Sequence, residues 1–439
     1  MFRKYIHGLN TLVPLGNGNK VPYINFDNAA TTPPLTSVLD KVVGFSYFYS
    51  SIHRGTGYKS IISSLFYDRS RNIVLDFVNA DPKYYTAIFV KNTTEAINKL
   101  SYRLKNWIKD GIVLSTYMEH HSNDLPWRTK YNVDYVNIDE KGRLSLDHLE
   151  YLLKKYKGKV RLVAVTGASN VTGYVNPIHE IAKLAHKYGS KILVDGAQLV
   201  PHHPVDMKPV DDPEHIDFLC FSAHKMYAPF GIGVLIAPKD TFMEGFSDVV
   251  GGGTVDLVTP REVIWAPPPE KEEGGTPNLL GVVALVESIE TLKKLGMKRI
   301  SDYERALTKY TLERLKTVPN IVIYDDEDVS RKVSIISFNI EGLYHGTVAT
   351  ILSVEGGIGV RNGCFCAQPY IQKLLKVSEK QIERYKKDSN LSRPGTVRIS
   401  YGMYNDFKEI NVLVELLHHI VKNIDFYNQK YKIPPPYQD

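Results

Sequence analysis

The sequence predicts an α/β fold built on a mostly parallel sheet. Short apolar runs of strand length alternate with helical stretches over residues 87–237. Alternation of this kind produces βαβ units, which place their strands parallel in one sheet. A long amphipathic helix and a further mixture of strands and helices follow, which predicts a second, smaller α/β unit. We therefore expect an N-terminal arm at 1–35, a large domain at 36–280 and a small domain at 281–439.

Length and composition are typical of an ordinary globular protein. The chain has 439 residues, of which 43% are hydrophobic and 23% charged, with a net charge of +6. No basic run interleaved with aromatic residues indicates a nucleic-acid partner. No apolar stretch has the length needed to cross a bilayer and no signal peptide is recognisable, so we expect no membrane partner. Three cysteines cannot form a disulfide framework, which predicts a reducing, cytoplasmic location.

The most informative stretch lies between two strand-like runs, 218–221 and 234–237. It carries Lys225 and then a turn punctuated by glycine and proline. Lys225 is therefore expected on a connection at the end of a buried strand. Burial disfavours the charged ammonium group and makes the amine available for Schiff-base chemistry. Taken alone, this stretch also allows an ordinary surface lysine.

A second predicted strand, 191–195, ends in the carboxylate of Asp195. Open α/β sheets bind ligands at the carboxyl ends of their strands. Because Asp195 and Lys225 end consecutive strands, they can face one crevice. A pyridoxal-phosphate site needs a lysine that binds the cofactor and an acidic partner for the pyridine nitrogen. This pair makes pyridoxal 5'-phosphate the expected cofactor.

Two further loops offer groups for binding. Thr93 and Thr94 fall in the first turn of a helix after the predicted strand 87–90. Free N–H groups and hydroxyls there form an anion site, although the same residues can also simply cap the helix. Asn170 follows the predicted strand 161–165, where its amide could bond a substrate or cofactor oxygen or belong to a plain turn.

A loop near the C-terminal end carries two thiols, Cys364 and Cys366. Zinc is not expected there, because the chain has only one other cysteine, Cys220, and no nearby histidine pair to complete four ligands. A buried structural cysteine is the ordinary alternative. Arg398, on a predicted strand at 394–400, offers the bidentate fork that fixes an amino-acid carboxylate.

Together these motifs resemble those of the class V aminotransferase fold and, within it, the second group of cysteine desulfurases. The resemblance rests on Asp-Gly-Ala-Gln at 195–198, Ser-Ala-His-Lys at 222–225 and Gly-Thr-Pro-Asn at 275–278. It covers nearly the whole chain, about residues 20–425. It implies a fold-type I pyridoxal-phosphate enzyme with a seven-stranded sheet in the large domain.

The activity that the resemblance implies is conversion of L-cysteine to L-alanine, with the sulfur passed to an enzyme cysteine as a persulfide. Selenocysteine lyase, another class V lyase, an aminotransferase or an epimerase is the alternative, since these enzymes share the cofactor residues. A non-catalytic sulfur-carrier scaffold is the alternative from a different class. It is disfavoured because every cofactor residue is present.

The resemblance also implies roles for individual residues. Lys225 is expected to bind the cofactor and remove the Cα proton, Cys366 to accept the sulfur, and His120 to stack on the pyridine ring. The other expected cofactor contacts are Thr93, Thr94, Asn170, Asp195, Gln198, Ser222, His224 and Thr276. The expected substrate contacts are Asn28, Asn170, Arg361 and Arg398.

Two partners are implied as well. In the family, the threonine at the position of Thr276 reaches the phosphate of the partner subunit, so a homodimer with shared active sites is expected. In the family, a His-Arg-Gly segment, which begins at His53 here, lies near the cofactor of the neighbouring subunit. A sulfur-acceptor protein is the second expected partner, and the sequence does not name it.

The sequence departs from the family at two places. Two histidines commonly precede the reactive cysteine, and here Cys364 and Phe365 occupy those positions. Cys364 could relay sulfur, resolve Cys366 oxidatively or merely pack. The charged linker 376–393 is longer than in typical members, so the approach to the site is expected to differ.

Overall fold

The computed structural model of the chain describes residues 2–324, 328–388 and 391–431. Its strands are β1 (Leu12–Pro14), β2 (Lys20–Pro22), β3 (Ile24–Asn25), β4 (Tyr85–Val90), β5 (Ile112–Thr116), β6 (Asn132–Val136), β7 (Val160–Thr166), β8 (Lys191–Asp195), β9 (Phe218–Ser222), β10 (Gly233–Pro238), β11 (Val255–Val258), β12 (Val263–Trp265), β13 (Ile321–Ile323), β14 (Ile335–Ile340), β15 (Ile358–Gly359), β16 (Arg361–Gly363) and β17 (Thr396–Ser400). Its α-helices are α1 (Thr36–Ser46), α2 (Tyr58–Phe77), α3 (Thr93–Arg103), α4 (Lys105–Ile108), α5 (Leu125–Arg128), α6 (Leu146–Lys155), α7 (Ile178–Lys187), α8 (Leu279–Leu295), α9 (Met297–Leu315), α10 (His345–Gly356), α11 (Gln368–Leu374), α12 (Glu379–Lys387), α13 (Phe407–Lys422) and α14 (Ile424–Lys430).

A sheet of seven strands, in the order β4, β10, β9, β8, β7, β5 and β6, forms the centre of the fold. Neighbours from β9 to β6 are parallel, whereas β10 runs antiparallel to both β9 and β4. A short turn joins β9 to β10, and only antiparallel neighbours can be joined without a long crossover. The predicted mostly parallel, seven-stranded sheet is confirmed.

Helices cover both faces of this sheet. Leu193 of β8 and Phe218 of β9 belong to a core shared with α3, while the following residues, Val194 and Leu219, belong to a core shared with α2, α7 and α8. Strands covered on both faces are apolar along their length. Polar groups such as Asp195 therefore come at the strand ends, where they can meet a ligand.

A second sheet of four strands, β13, β14, β17 and β16, lies in the C-terminal part of the chain. Its pairs are antiparallel, and its core contains Phe338, Ile399 and apolar residues of α10 and α13. The division into domains at 36–280 and 281–439 stays a prediction. Helix α8 packs against α1 and α2 in the core that these helices share with β8 and β9.

The predicted N-terminal arm contains short strands that pair. Over its described part, 2–35, β1 and β2 form a hairpin, and β3 pairs in parallel with β15. Phe26 joins the core of the second sheet, and Arg3 Nη1 lies 2.6 Å from Glu409 Oε1. Strands this short give no periodic signal, so the sequence did not predict the hairpin.

The charged linker 376–393 contains helix α12. Ser378 and Gln381 form a capping box at its start. Residues 389 and 390 of this linker lie outside the described residues, as do Met1 of the arm and 432–439 of the predicted small domain. Over the described ranges, no helix combines the length and apolar character of a bilayer crossing.

Candidate active site

The carboxyl ends of β4, β8 and β9 meet the second sheet at a cleft of about 290 Å³. Most of the side chains that the sequence predicted for the site line this cleft. They are Thr93, Thr94, His120, Asn170, Asp195, Gln198, Ser222, His224, Lys225, Arg361, Cys366 and Arg398. Asn28 and Thr276 are not among its lining residues.

Asp195 and Lys225 face the cleft from adjacent parallel strands. Asp195 ends β8, and Lys225 lies in the short 3₁₀ turn Ala223–Lys225 that follows β9. Burial lowers the pKa of Lys225 to about 8, with the charge of Asp195 acting in the opposite direction. Burial also raises the pKa of Asp195, against a hydrogen bond from the Ala197 N–H and the charge of Lys225. The lysine amine is thereby more easily neutral, as a nucleophilic amine requires.

The first turn of α3 presents donors to the same cleft. Asn92 caps the helix, its Oδ1 accepting the Glu95 N–H at 3.0 Å. Thr93 N–H donates to Ser222 Oγ at 2.8 Å, and Thr94 Oγ1 lies 2.7 Å from Ser122 Oγ. The helix dipole favours an anion at such a turn, and the Thr93 and Thr94 hydroxyls are the groups that would meet it.

Gly233 allows the close approach of β10 to this turn. A Cβ at Gly233 would lie 2.7 Å from the Cα of Asn92, so a larger residue would displace the cap. From the sequence, Gly233 was predicted only as part of a turn. Close backbone packing is a second reason for a glycine here.

His120 lies beside the cleft with its ring held by a local contact. Its Nδ1 accepts the Ser122 N–H at 3.1 Å. Burial lowers the pKa of His120 to about 4, and the nearby charges of Lys225, His121 and Arg398 act in the same direction. The ring is therefore neutral near pH 7, which suits stacking on a flat aromatic ligand.

Glu119, which the sequence analysis did not single out, anchors the segment that carries His120. Its carboxylate is buried and accepts from Thr116 Oγ1 at 2.6 Å, Thr166 N at 3.0 Å and Asn123 Nδ2 at 2.6 Å. Burial raises the pKa of Glu119 to about 8, and these hydrogen bonds oppose the shift. The sequence signal that could have pointed to Glu119 is a charged residue directly before the pair His120 and His121.

Arg398 is buried at the inner wall of the cleft. Its Nη1 donates to Asn170 O at 2.9 Å, and its Nη2 lies 3.0 Å from Asp27 Oδ1. Burial lowers the pKa of Arg398 to about 10, with Asp27 acting in the opposite direction. Arg361, which is half-exposed, lies 2.9 Å from the other oxygen of Asp27. Asp27 thus joins both arginines, a role that the sequence analysis missed.

Cys366 and Phe365 lie in a tight loop in which both have positive φ, 55° and 52°. This conformation is uncommon for residues other than glycine. Hydrogen bonds hold the loop from both sides, since Asn170 Nδ2 donates to Phe365 O at 2.7 Å and His121 N donates to Cys366 O at 2.6 Å. The Asn170 amide is therefore committed to this loop.

The Cys366 thiol is exposed at the junction of two surfaces. It lines the cleft and also an outer groove that contains Cys364. Burial lowers the pKa of Lys225 and that of Arg398. The negative charge of a Cys366 thiolate would raise both pKa values. The thiol is thus close enough to both residues to interact with their charges.

Two predicted site residues lie elsewhere. Asn28 is buried, with Nδ2 donating to Ser400 O at 3.0 Å and Oδ1 accepting from the Tyr404 hydroxyl at 2.7 Å. These bonds fix the arm to the second sheet. Thr276 lies in a separate cavity that also contains His53 and Arg54.

The cleft contains polar atoms that need a partner. Gln198 Oε1 and Arg398 Nε are buried and make no hydrogen bond within the described residues. Unpaired buried polar atoms cost free energy, so a polar ligand in the cleft would stabilise them. A phosphate-bearing aromatic cofactor fits the donors of α3, the neutral ring of His120 and the carboxylate of Asp195.

Comparisons with known proteins agree with this arrangement. A sequence model of the family described as aminotransferase class-V matches residues 24–413. A cysteine desulfurase of Haloferax volcanii is 32% identical over 90% of this chain and 89% of its own length. A probable cysteine desulfurase of Synechocystis is 33% identical over 92% of each chain. The chain spans only 56% of a probable cysteine desulfurase of Mycolicibacterium paratuberculosis, at 34% identity.

Solved structures show the same fold. The apo cysteine desulfurase of Thermococcus onnurineus has a TM-score of 0.80 at 32% identity, covering 91% of this chain and 95% of its own. The cysteine desulfurase CsdA of Escherichia coli has a TM-score of 0.79 at 25% identity, covering 96% and 98%. By its sequence match and these relatives, the chain belongs to the aminotransferase class-V family.

Proposed function

We propose that the chain is a cysteine desulfurase that converts L-cysteine to L-alanine and transfers the sulfur to Cys366. One observation carries the proposal: an exposed thiol lines the same cleft as Lys225 and Asp195. A lyase that releases its product directly needs no such thiol. The names of the relatives support the same reaction and do not favour selenocysteine lyase or another class V activity.

The residues of the cleft suit pyridoxal 5'-phosphate. Thr93, Thr94, Ser222 and His224 would hold its phosphate at α3, Asp195 its pyridine nitrogen, His120 its ring and Gln198 its phenolic oxygen. When bound through Lys225, the cofactor supplies an electron sink that lets an amino acid lose its Cα proton.

The arginines would bind the carboxylate of L-cysteine. Arg398 presents its guanidinium at the inner wall and has an unpaired Nε among the described residues. Asp27 and the Asn170 carbonyl fix its orientation. Arg361 would add a second positive charge at the mouth of the cleft.

Lys225 and Cys366 would perform the proton and sulfur steps. With a pKa of about 8, Lys225 can accept a proton from Cα and return one to the carbon skeleton near neutral pH. The Cys366 thiolate attacks the substrate sulfur, so that an S–S bond forms on Cys366 while the Cβ–S bond breaks. The products are L-alanine and a Cys366 persulfide, which conserves all atoms and electrons.

The experiment is to incubate the purified protein with pyridoxal 5'-phosphate and L-cysteine, and to measure alanine and sulfide with and without a dithiol. Alanine release, with sulfide released by the dithiol, is expected. Alanine formed only from selenocysteine would favour selenocysteine lyase. Pyruvate and ammonia in place of alanine would indicate β-elimination.

A homodimer with shared sites is part of the proposal. Large apolar side chains are exposed directly after α1, on α2 and on the β11–β12 hairpin, among them Tyr47, Tyr58, Ile61, Leu257 and Ile264. Patches of this kind mark protein interfaces. Thr276, His53 and Arg54 share one cavity outside the cleft, as expected if they face the partner's cofactor.

A sulfur-acceptor protein would meet the persulfide at the outer groove, where Cys366 and Cys364 are both accessible. Lys386 and Arg393 line this groove and would favour an acidic partner surface. A cytoplasmic location is proposed on the free cysteines.

A further inference from the structure

Three metal-ligating side chains meet at a point that the proposed chemistry does not use. His186 lies on α7, His215 in the connection from β8 to β9, and Asp217 directly before β9. One ligand atom from each lies within 4.8 Å of the other two. The two imidazole rings stack, with centroids 4.2 Å apart and an interplanar angle of 19°.

Backbone carbonyls fix the orientation of both rings. His186 Nδ1 lies 2.8 Å from Pro213 O, and His215 Nδ1 lies 2.7 Å from Asp212 O. A carbonyl oxygen can only accept, so each Nδ1 carries the proton. Each Nε2 is turned to Asp217, at 2.9 Å from Oδ2 for His186 and 3.6 Å from Oδ1 for His215. A carboxylate oxygen also only accepts, so without an ion His186 Nε2 donates a proton to Asp217, and a bound ion would replace that proton.

This is the arrangement that metal-binding histidines require. A ligating imidazole usually donates its other ring N–H to a carbonyl or carboxylate, which fixes the ring toward the ion. The carboxylate of Asp217 is itself held by the Ile192 N–H at 2.9 Å. The histidine side chains are each 17% exposed, so an ion can reach them and small rotations can bring the ligands to about 2.0–2.2 Å.

We propose that His186, His215 and Asp217 bind a divalent first-row metal ion such as Zn²⁺. Two imidazoles and one carboxylate form a ligand set for such ions, with water completing the coordination. Lys191 Nζ lies 3.4 Å from Asp217 Oδ1, and the metal ion would displace this ammonium group. The Lys191 side chain is 34% exposed, so it can move into solvent. The bound ion would link α7 to the start of β9, the strand that precedes Lys225.

Calorimetric titration with Zn²⁺ tests the proposal. The protein is the full-length holoenzyme carrying Cys364→Ser and Cys366→Ser, so that the two accessible thiols cannot compete. One Zn²⁺ per chain is expected at this site, with a rise in the melting temperature. His215→Phe and His186→Phe should weaken binding more than about tenfold, since even an outer-shell partner is worth that much.

His179→Phe is the matched control. His179 lies on the same helix and its Nδ1 also meets a carbonyl, Glu214 O at 2.9 Å, but it is not part of the cluster. It should bind Zn²⁺ as the parent does. His215→Gln replaces His215→Phe if the latter does not fold. A parent that binds no Zn²⁺, or His215 and His186 variants that bind it as tightly as the parent, would overturn the proposal.

Discussion

At the scale of single residues, Asp27 fixes the arrangement of Arg398 and Arg361, the two arginines proposed to bind the substrate. Its two carboxylate oxygens lie 3.0 Å from Arg398 and 2.9 Å from Arg361. Within the described residues, neither arginine is held by a side chain close to it in sequence, and Asp27 comes from the N-terminal arm. Local patterns therefore predicted the arginines, which belong to recognisable motifs, and missed the carboxylate that orients them.

Arg398→Lys should lower kcat/KM for L-cysteine by about 10–100-fold, because one charge-assisted hydrogen bond is worth about 1.5–3 kcal/mol. The ammonium group of a lysine cannot replace the planar guanidinium, whose two Nη atoms contact Asn170 O and Asp27 at the same time. Steady-state kinetics and a cofactor titration check this. Arg361→Lys, at a half-exposed site, is the control and should cost less. Equal loss of cofactor affinity would indicate that Arg398 has a structural role.

The lowered pKa of Lys225 predicts a pH dependence for cofactor uptake. Only the neutral amine reacts, so uptake of pyridoxal phosphate by the apoprotein should accelerate with pH and level off above about 8. The absorbance of the lysine-bound cofactor reports the rate. A midpoint near 10.5, the ordinary lysine value, would contradict the assignment.

The same shift has a consequence for stability. Between about 8 and 10.5 the unfolded chain binds more protons at Lys225 than the folded chain, so apoprotein stability should rise with pH in that window. Lys225→Met should remove this dependence. Urea unfolding at several pH values measures it, and an unchanged slope in the variant would exclude Lys225 as its source.

At the scale of elements, strand and helix positions were well predicted from the sequence. The helix predicted to open at Thr93 is α3, and the apolar runs before Asp195 and Lys225 are β8 and β9. The β1–β2 hairpin was missed because its strands are too short to give a periodic signal. The pairing of β3 with β15 depends on residues more than 300 positions apart, which no local pattern encodes.

The first turn of α3 should bind the cofactor through its phosphate. Thr94→Val removes one exposed hydroxyl and should weaken pyridoxal phosphate binding by about tenfold, the value of one hydrogen bond to a charged group. Affinity for pyridoxal, which lacks the phosphate, should not change. Asn98→Ala, one turn further along α3, is the matched control. A loss of affinity for both ligands would argue against phosphate binding at this turn.

At the scale of the whole molecule, residues distant in sequence complete the site. The family motifs at Asp195 and Lys225 meet in the cleft because each follows the carboxyl end of a strand of one sheet. Glu119 was not predicted because its role depends on burial and on a hydrogen bond from the Thr166 N–H, 47 positions away. The cluster of His186, His215 and Asp217 was also missed, since its spacing matches no metal motif and only the packing of α7 brings it together.

The proposed dimer makes a prediction about assembly. Ile61→Asp places a charge on the exposed apolar face of α2 and should shift sedimentation from dimer toward monomer. Cofactor affinity should fall with it, because Thr276 of the partner would be lost. Tyr151→Asp, at an exposed aromatic residue of α6, is the control and should stay dimeric. A monomeric wild-type protein with full activity would contradict shared sites.

Cys366 is proposed to receive the sulfur of L-cysteine, and mass spectrometry of the treated protein shows whether it does. After brief treatment of the holoenzyme with L-cysteine and alkylation, the peptide containing residues 364–366 should carry one extra sulfur atom on Cys366. Cys366→Ser should lose this sulfur and stop alanine formation, while Cys364→Ser should keep both. Extra sulfur on Cys364 alone, or continued alanine formation by Cys366→Ser, would show that Cys366 is not the sulfur acceptor.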